Sequence, residues 1–216
     1  GVIAAITVLT LITKYQKEQT VTRLKKAYTT IAQTTQLAIR DNGPITIWEL
    51  GENGTGIAAK DFFEKYLKPY LSISRDCGLE TTGSCEFKYG FLNSNITSNY
   101  FSNNYYRFYL QDGTFITISV YNQNARKYVE AYVDINGQKK PNKLGRDIFF
   151  FRYYLIGTHS LVDGKFLPNN NFQSISDLLS DSLTQSCNKN SIGQAGLSCA
   201  TVIMKSGWTI PDGYPW

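Results

Sequence analysis

The architecture of the chain depends on its N-terminal stretch, GVIAAITVLTLITKYQKEQTVTRLKKAYTTIAQTTQLAIRDNGP (1–44). Residues 1–13 carry no charge, and no Gly or Pro interrupts residues 2–41. The run Asp41-Asn42-Gly43-Pro44 then supplies a helix stop, because Gly accepts the left-handed cap and Pro cannot continue the helix. The stretch therefore predicts one helix of about forty residues, which spans about 60 Å at about 1.5 Å per residue.

The two halves of this helix differ in pattern. Behind residue 13, apolar side chains recur at steps of three and four and form one narrow stripe, which we expect to pack on a sheet: Val21, Leu24, Tyr28, Ile31, Thr35 and Ala38. The opposite face carries Arg23, Lys26, Gln33 and Arg40. Residues 1–13 are apolar all round and need cover on every side, from lipid or from other chains.

Residues 1–13 as given are too short to span a bilayer, which takes about 20 apolar residues. They also lack the basic start and small-residue cleavage site of a signal peptide. We expect this segment to project from the body as part of the working protein, since the helix is longer than a domain of this size is wide. A buried helix inside a globular protein is the alternative.

Composition indicates a folded chain of one domain with an extension. The hydrophobic fraction of 42% and the charged fraction of 18% favour a core and argue against general disorder. We divide the chain into a helix over 1–43 and a globular head over 44–216. The net charge of +5 is mild, and its clearest cluster, Arg23 to Lys26, predicts a solvated helix face, so no specific nucleic-acid partner is inferred.

The sequence of the head predicts an antiparallel meander. Together with the long helix, this makes the expected fold class α+β. Strands are expected near 107–110, 114–121, 127–135 and 147–156, and Asp112-Gly113-Thr114 is a hairpin signal between the first two. Short helices are expected in AAKDFFEKYLKPYL (58–71), which Pro69 ends, and in SISDLLSDSL (174–183).

Four cysteines fall in two local pairs, Cys77 with Cys85 and Cys187 with Cys199. Zinc is a poor interpretation, because no C-x-x-C occurs and His159 is the only histidine. Each pair brackets a short polar loop, and local closure costs the least entropy, so we favour two disulfides and an oxidising compartment. Four buried free thiols in a cytosolic protein are the alternative.

No catalytic set emerges, so we expect a protein that is not an enzyme. His159 lies in a turn-like stretch, IGTHSLVDG (156–164), and is expected to be a surface residue. The Gly-containing loop GENGTG (51–56) lacks a preceding strand and the Lys-Ser/Thr ending of a phosphate loop. A secreted enzyme anchored by its helix is the disfavoured alternative.

A long helix, apolar in front and amphipathic behind, followed by an antiparallel sheet and cysteine loops, resembles type IV pilins and pseudopilins. GVIAAITVLTLITKYQKEQTVTRLKKAYTTIAQ resembles the helix of bacterial proteins with a prepilin-type cleavage and methylation motif, and GWTIPDGYPW (207–216) resembles part of a pilin body. Family members begin with a Phe-led apolar stretch containing a glutamate, and Gly1 is expected to follow it. The helix-breaking Pro frequent in the family is absent, with Val8 and Leu9 in its place.

The resemblance implies a pilin fold and a structural subunit that polymerises into a pilus-like cell-surface filament. It implies the inner membrane as the location before assembly, with other copies of the chain and the pilus assembly machinery as partners. The implied assembly contacts are Val2, Ile3, Ile6, Leu9, Leu11 and Ile12. A minor pilin or pseudopilin acting in adhesion, DNA uptake or type II secretion is the alternative function.

Some pseudopilins bind calcium, and Asp134 with Asn136 resembles the opening of a calcium loop. Gln138 replaces an acidic ligand, Lys139 and Lys140 follow, and no Glu stands at the twelfth position. Asn136-Gly137 is also an ordinary turn signal. We favour the turn and expect no cofactor, with calcium as the alternative.

Overall fold

A long N-terminal helix lies against one face of a six-stranded antiparallel sheet. The computed structural model describes residues 2–94 and 103–216, and the side chains of all these residues except 2–7 and 9. Helix α1 spans Val2–Asn42. The strands follow each other across the sheet in chain order: β1 (Ile73–Gly78), β2 (Tyr106–Leu110), β3 (Phe115–Gln123), β4 (Arg126–Asp134), β5 (Ile148–Ile156) and β6 (Lys165–Pro168).

Helix α1 ends where the sequence predicts. Gly43 adopts a φ of +80°, which a residue with a side chain takes up only at a cost, and its N–H donates to the Ile39 carbonyl at 2.8 Å. The amide of Asn42 donates to the Ala38 carbonyl at 3.1 Å. These two bonds satisfy carbonyls that the last helical turn would otherwise leave without donors.

One stripe of α1 is buried along the body. Leu24, Ala27 and Ala38 are fully buried and Ile31 is 3% exposed, while Val21 and Tyr28 are partly buried against the same core. Tyr28 packs on Phe151 of β5 and Phe166 of β6, with ring centroids 5.8 Å apart in each case. At the turn between β2 and β3, Lys26 forms an ion pair of 3.0 Å with Asp112.

The inner face of the sheet supplies the other half of this core. Alternate residues of neighbouring strands lie opposite one another: Ile116 and Val133, Ile118 and Ala131, Val120 and Val129. All of them are nearly or fully buried. Period-two alternation therefore sends one apolar set from each strand toward α1.

The outer face of the sheet is also covered. Phe115, Tyr132 and Phe150 form a second buried cluster with two further strand residues, Cys77 and Ile148, and with side chains from the connecting segments: Cys85, Phe87, Tyr89, Leu144 and Leu197. Because β5 is covered on both faces, its sequence IFFFRYYLI (148–156) is almost continuously apolar rather than alternating.

The four predicted strands are confirmed, with ends that differ by one or two residues. Strands β1 and β6 were not predicted. Strand β1 reads ISRDCG and has three exposed residues, and β6 has four residues and ends in Pro168, so neither shows a clear alternating pattern. Both lie at the edges of the sheet, where one side of the strand is unpaired.

Three short helices flank the sheet. Helix α2 spans Gly56–Phe62, and the Thr55 hydroxyl caps it by accepting from the Ala58 N–H. The predicted helix over 58–71 goes on as a π turn over Phe63–Leu67 and a 3₁₀ turn over Lys68–Tyr70. Helix α3 (Ile175–Leu179) lies in its predicted stretch, whereas α4 (Cys199–Lys205) was not predicted as a helix.

Both predicted disulfides are confirmed. Cys77–Cys85 ties the end of β1 to the following loop, and Cys187–Cys199 ties the first residue of α4 to the loop after α3. Val202 and Ile203 of α4 are completely buried, so this helix closes the end of the core. In a chain-entropy account, each bridge stabilises the fold by about 2–3 kcal/mol.

Two leucines of α1 form a matched pair for testing the packing of the helix. We expect Leu24→Ala to lower the free energy of unfolding by about 2–5 kcal/mol, because it leaves a cavity beneath the helix. Leu37 is 41% exposed, and Leu37→Ala should change stability by less than about 0.5 kcal/mol. Denaturant unfolding measures both. Equal losses in the two variants would contradict the assignment of the buried stripe.

Candidate assembly interface

Residues 2–16 of α1 form a stem whose described side chains are all exposed. These are the side chains of residue 8 and residues 10–16. Four of them are large and apolar or aromatic: Val8 (53% exposed), Leu11 (61%), Ile12 (47%) and Tyr15 (61%). Body cover on one side of α1 begins at Lys17.

The four exposed side chains form a stripe. They stand at positions i, i+3, i+4 and i+7, and therefore share one face of the helix. At about 100° per residue, this face lies on roughly the opposite side of α1 from the stripe of Leu24, Ile31 and Ala38. The helix thus offers one apolar stripe to its own sheet and a second to its surroundings.

The predicted assembly residues lie on this stem, and the structure describes two of their side chains. Leu11 and Ile12 are both exposed. Val2, Ile3, Ile6 and Leu9 are helical, but their side chains lie outside the described set. Val8 and Tyr15 were not predicted, although their spacing from Leu11 and Ile12 is a signal that would have found them.

Two tryptophans from the C-terminal segment pack beside α1 where the stem meets the body. The Nζ of Lys17 lies 5.9 Å from the ring centre of Trp216, and the guanidinium of Arg146 lies 4.7 Å from the same ring. The Nζ of Lys25 lies 5.9 Å from the ring of Trp208. These are cation–π distances, and the sequence analysis did not predict the contacts.

A shallow cleft of about 290 Å³ lies next to this junction. It runs between α1 and the loop 135–147, and its walls include Tyr15, Gln19, Arg23, Asn136, Arg146 and Trp216. Asp147 also lines the cleft, but N–H donors of its own loop occupy both its carboxylate oxygens. Two arginines, Arg23 and Arg146, therefore stand at the walls of the cleft without a free carboxylate from Asp147.

The predicted turn at Asn136-Gly137 is organised by two buried aspartates. Asp134 accepts the N–H groups of Asn136 and Gln138 at 3.0 and 2.9 Å. Asp147 accepts the N–H groups of Asn142 and Lys143 at 2.8 and 2.7 Å and the amide of Asn136 at 3.0 Å. The carboxylate of Asp134, which the sequence offered as a calcium ligand, thus accepts hydrogen bonds that hold a turn of this loop, and Asp147 does the same for the next turn.

Among residues 2–94 and 103–216, no three His, Cys, Asp or Glu side chains lie together as ligands for a metal ion. The amide of Asn136, the second residue considered for calcium, donates to Asp147. Its carbonyl oxygen is buried and accepts from none of the described residues.

His159 lies in the loop between β5 and β6. Its ring stacks on Phe172 with centroids 4.6 Å apart, and its Nδ1 accepts the N–H of Leu161 at 3.3 Å. The Asp163 carboxylate accepts three backbone N–H groups of the same loop, from Gly157, Thr158 and His159. Both the backbone N–H and the ring of His159 therefore take part in hydrogen bonds within its own loop.

The buried Asp134 should make stability depend on pH. Burial raises the pKa of its carboxyl to about 7, and the nearby charge of Asp147 also raises this pKa. The backbone N–H donors lower the pKa, but by less. Below about pH 4 the folded and unfolded chains both hold the proton. Between pH 4 and 7 the unfolded chain releases it first, so the free energy of unfolding should fall as pH rises.

We expect denaturant unfolding to give a lower stability at pH 8 than at pH 5, with a slope of at most about 1.4 kcal/mol per pH unit from this group. Asp134→Asn should be destabilised at both values, because its amide NH₂ faces N–H donors. It should also lose most of the difference between them. An unchanged difference in Asp134→Asn would contradict this assignment.

Within the described residues, no helix is both long and apolar enough to cross a membrane.

Neither the curated proteins nor the solved structures contain a match to this sequence. A family model described as "Family of unknown function (DUF6613)" matches residues 10–216. The match begins in the stem and includes all six strands and both disulfides. The chain therefore belongs to the family of unknown function DUF6613.

Proposed function

We propose that the protein is a structural subunit that polymerises through α1 into a type IV pilus-like cell-surface filament. In this proposal the globular body lies on the outside of the filament, and the stems of neighbouring copies pack together inside it. The role needs no catalytic group. Before assembly, the stem would be held in the inner membrane.

The exposed apolar stripe of the stem carries the proposal. Val8, Leu11, Ile12 and Tyr15 are 47–61% exposed and stand at the spacing by which helices pack on one another. Burying such side chains gives about 1.5–3 kcal/mol for each one that becomes fully covered. A stripe of this kind is typical of a helix that meets other helices.

The direction of the stripe supports self-assembly. Because it faces away from the sheet, a second stem can reach it without displacing the body. The body already covers the buried stripe of the same helix, which leaves the stem free for neighbours. Copies arranged around a common axis could therefore join their stems and keep their sheets outward.

The closed body supports a role outside the cell. Cys77–Cys85 and Cys187–Cys199 tie down segments at its periphery, and disulfides persist in oxidising compartments. A long helix on an antiparallel sheet, with disulfide-closed loops, is also the arrangement that the resemblance to pilins implies.

Leu11→Asp tests the proposal. We expect it to abolish filaments, because an unpaired carboxylate between packed stems costs several kcal/mol. The body should still fold, since Leu11 lies outside the core, and both disulfides should form. Electron microscopy of material sheared from cells that express the chain gives the filament readout, and peptide mapping without reductant gives the disulfides.

Ile192→Asp is the matched control. Ile192 is 86% exposed in the loop closed by Cys187–Cys199, so its variant adds the same charge far along the chain from the stem. Filaments should form normally in this control. Normal filaments from Leu11→Asp, or no filament containing the wild-type chain, would contradict the proposed function.

A further inference from the structure

We propose that the junction between stem and body is a docking surface for a bilayer of anionic phospholipid. The surface consists of Lys14, Lys17, Arg146 and Trp216, which we call the belt. The proposal deepens the proposed function and rests on the part of it that places the stem in an apolar environment before assembly.

Trp216, the aromatic member of the belt, is placed as residues at a membrane interface are. It is partly exposed, lines the cleft next to Tyr15 and lies beside Lys17. The other two tryptophans belong to the body: Trp48 is 3% exposed within the core, and Trp208 packs on Tyr28 with ring centroids 5.4 Å apart. Tryptophan favours the headgroup level, where its ring is half in an apolar environment and its N–H is in water.

The cations of the belt stand where the apolar stem ends. Lys14 and Lys17 directly follow the apolar segment, are one helical turn apart and form no ion pair with any residue that the structure describes. Glu18 is the one carboxylate in the groove beside Trp208. Long basic side chains at such a boundary extend toward phosphate while their methylene groups lie on apolar surface.

The dimensions agree with this placement. Residues 2–13 extend about 18 Å at about 1.5 Å per residue and would therefore occupy part of a hydrocarbon core of roughly 30 Å. With residue 13 at the edge of that core, Lys14 and Lys17 would lie at the phosphate level. Lys25, beside Trp208, would lie within about two Debye lengths of the surface at physiological salt.

The continuity of the three features favours a bilayer over other occupants. Nucleic acid would use the basic groups and leave the apolar stem in water. A second copy of the chain would cover the stem, but it would not explain why Lys14 and Lys17, which form no ion pair, stand at its end. A bilayer of anionic lipid would cover the apolar stem with its hydrocarbon core and meet Trp216 and the lysines with its headgroups.

Binding to vesicles tests the belt. The full chain should bind vesicles of phosphatidylcholine with phosphatidylglycerol more tightly than vesicles of phosphatidylcholine alone, and added salt should weaken the difference. Lys14→Gln/Lys17→Gln should bind the anionic vesicles about 25-fold more weakly, at about fivefold for each charge. Lys60→Gln/Lys189→Gln removes two other exposed lysines and should bind them within about twofold of wild type.

Tryptophan fluorescence gives a second readout that reports depth. Brominated lipids in the anionic vesicles should quench wild type and Trp48→Phe, which both keep Trp216. They should leave Trp216→Phe unquenched, because its remaining tryptophans lie in the body: Trp48 is buried, and Trp208 packs on Tyr28.

Equal binding of wild type to both kinds of vesicle, equal loss in the two lysine variants, or self-association without lipid binding would each overturn the belt. Filament formation is scored separately. If filaments are absent but binding depends on Lys14 and Lys17, the assembly proposal fails and the belt stands. If filaments form while the two lysine variants bind alike, the belt fails alone.

Discussion

The packing of one stripe of α1 on the inner face of the sheet is the contact on which the rest of the structure depends. Leu24, Ala27, Ile31 and Ala38 are buried there, opposite strands β3 to β5. This contact fixes the direction of the whole helix. It also sets the rotation of the stem, because a continuous helix cannot turn one half without the other. The exposed stripe of Val8 to Tyr15 faces away from the sheet as a direct consequence.

Much of this architecture is predictable from sequence, because the decisive signals are local. The helix stop at Gly43, the hairpin at Asp112-Gly113-Thr114 and the apolar stripe of α1 each follow from a few neighbouring residues. The disulfide pairing was also predictable, since each loop is short. The edge strands β1 and β6 were not predictable, because their pairing partners, and not their own composition, hold them in the sheet.

The junction at the end of the stem depends on long-range contacts that no local pattern encodes. Lys17, Arg146 and Trp216 are far apart in sequence, and the Trp216 ring meets both cations only because the fold brings the C-terminal segment back to α1. The loop with Asp134 and Asp147 is held by contacts between residues at most 11 positions apart. Its opening resembles a calcium loop, but backbone N–H groups take up the carboxylate oxygens, so the two aspartates organise turns. Sequence alone left the turn and calcium as alternatives at this point.

The central proposal is that one helix has two functions: residues 24–38 pack on the sheet of their own chain, and the stem packs on the stems of other copies in a filament. Hydrogen–deuterium exchange at peptide resolution on isolated chains and on assembled filaments tests it most directly. In isolated chains, amides of residues 24–38 should be protected at the level of the body, and amides of residues 8–16 should exchange far faster, because a helical segment without tertiary cover frays. Assembly should slow exchange in residues 8–16 selectively. Equal protection of both segments in isolated chains, or no gain in the stem on assembly, would contradict the account.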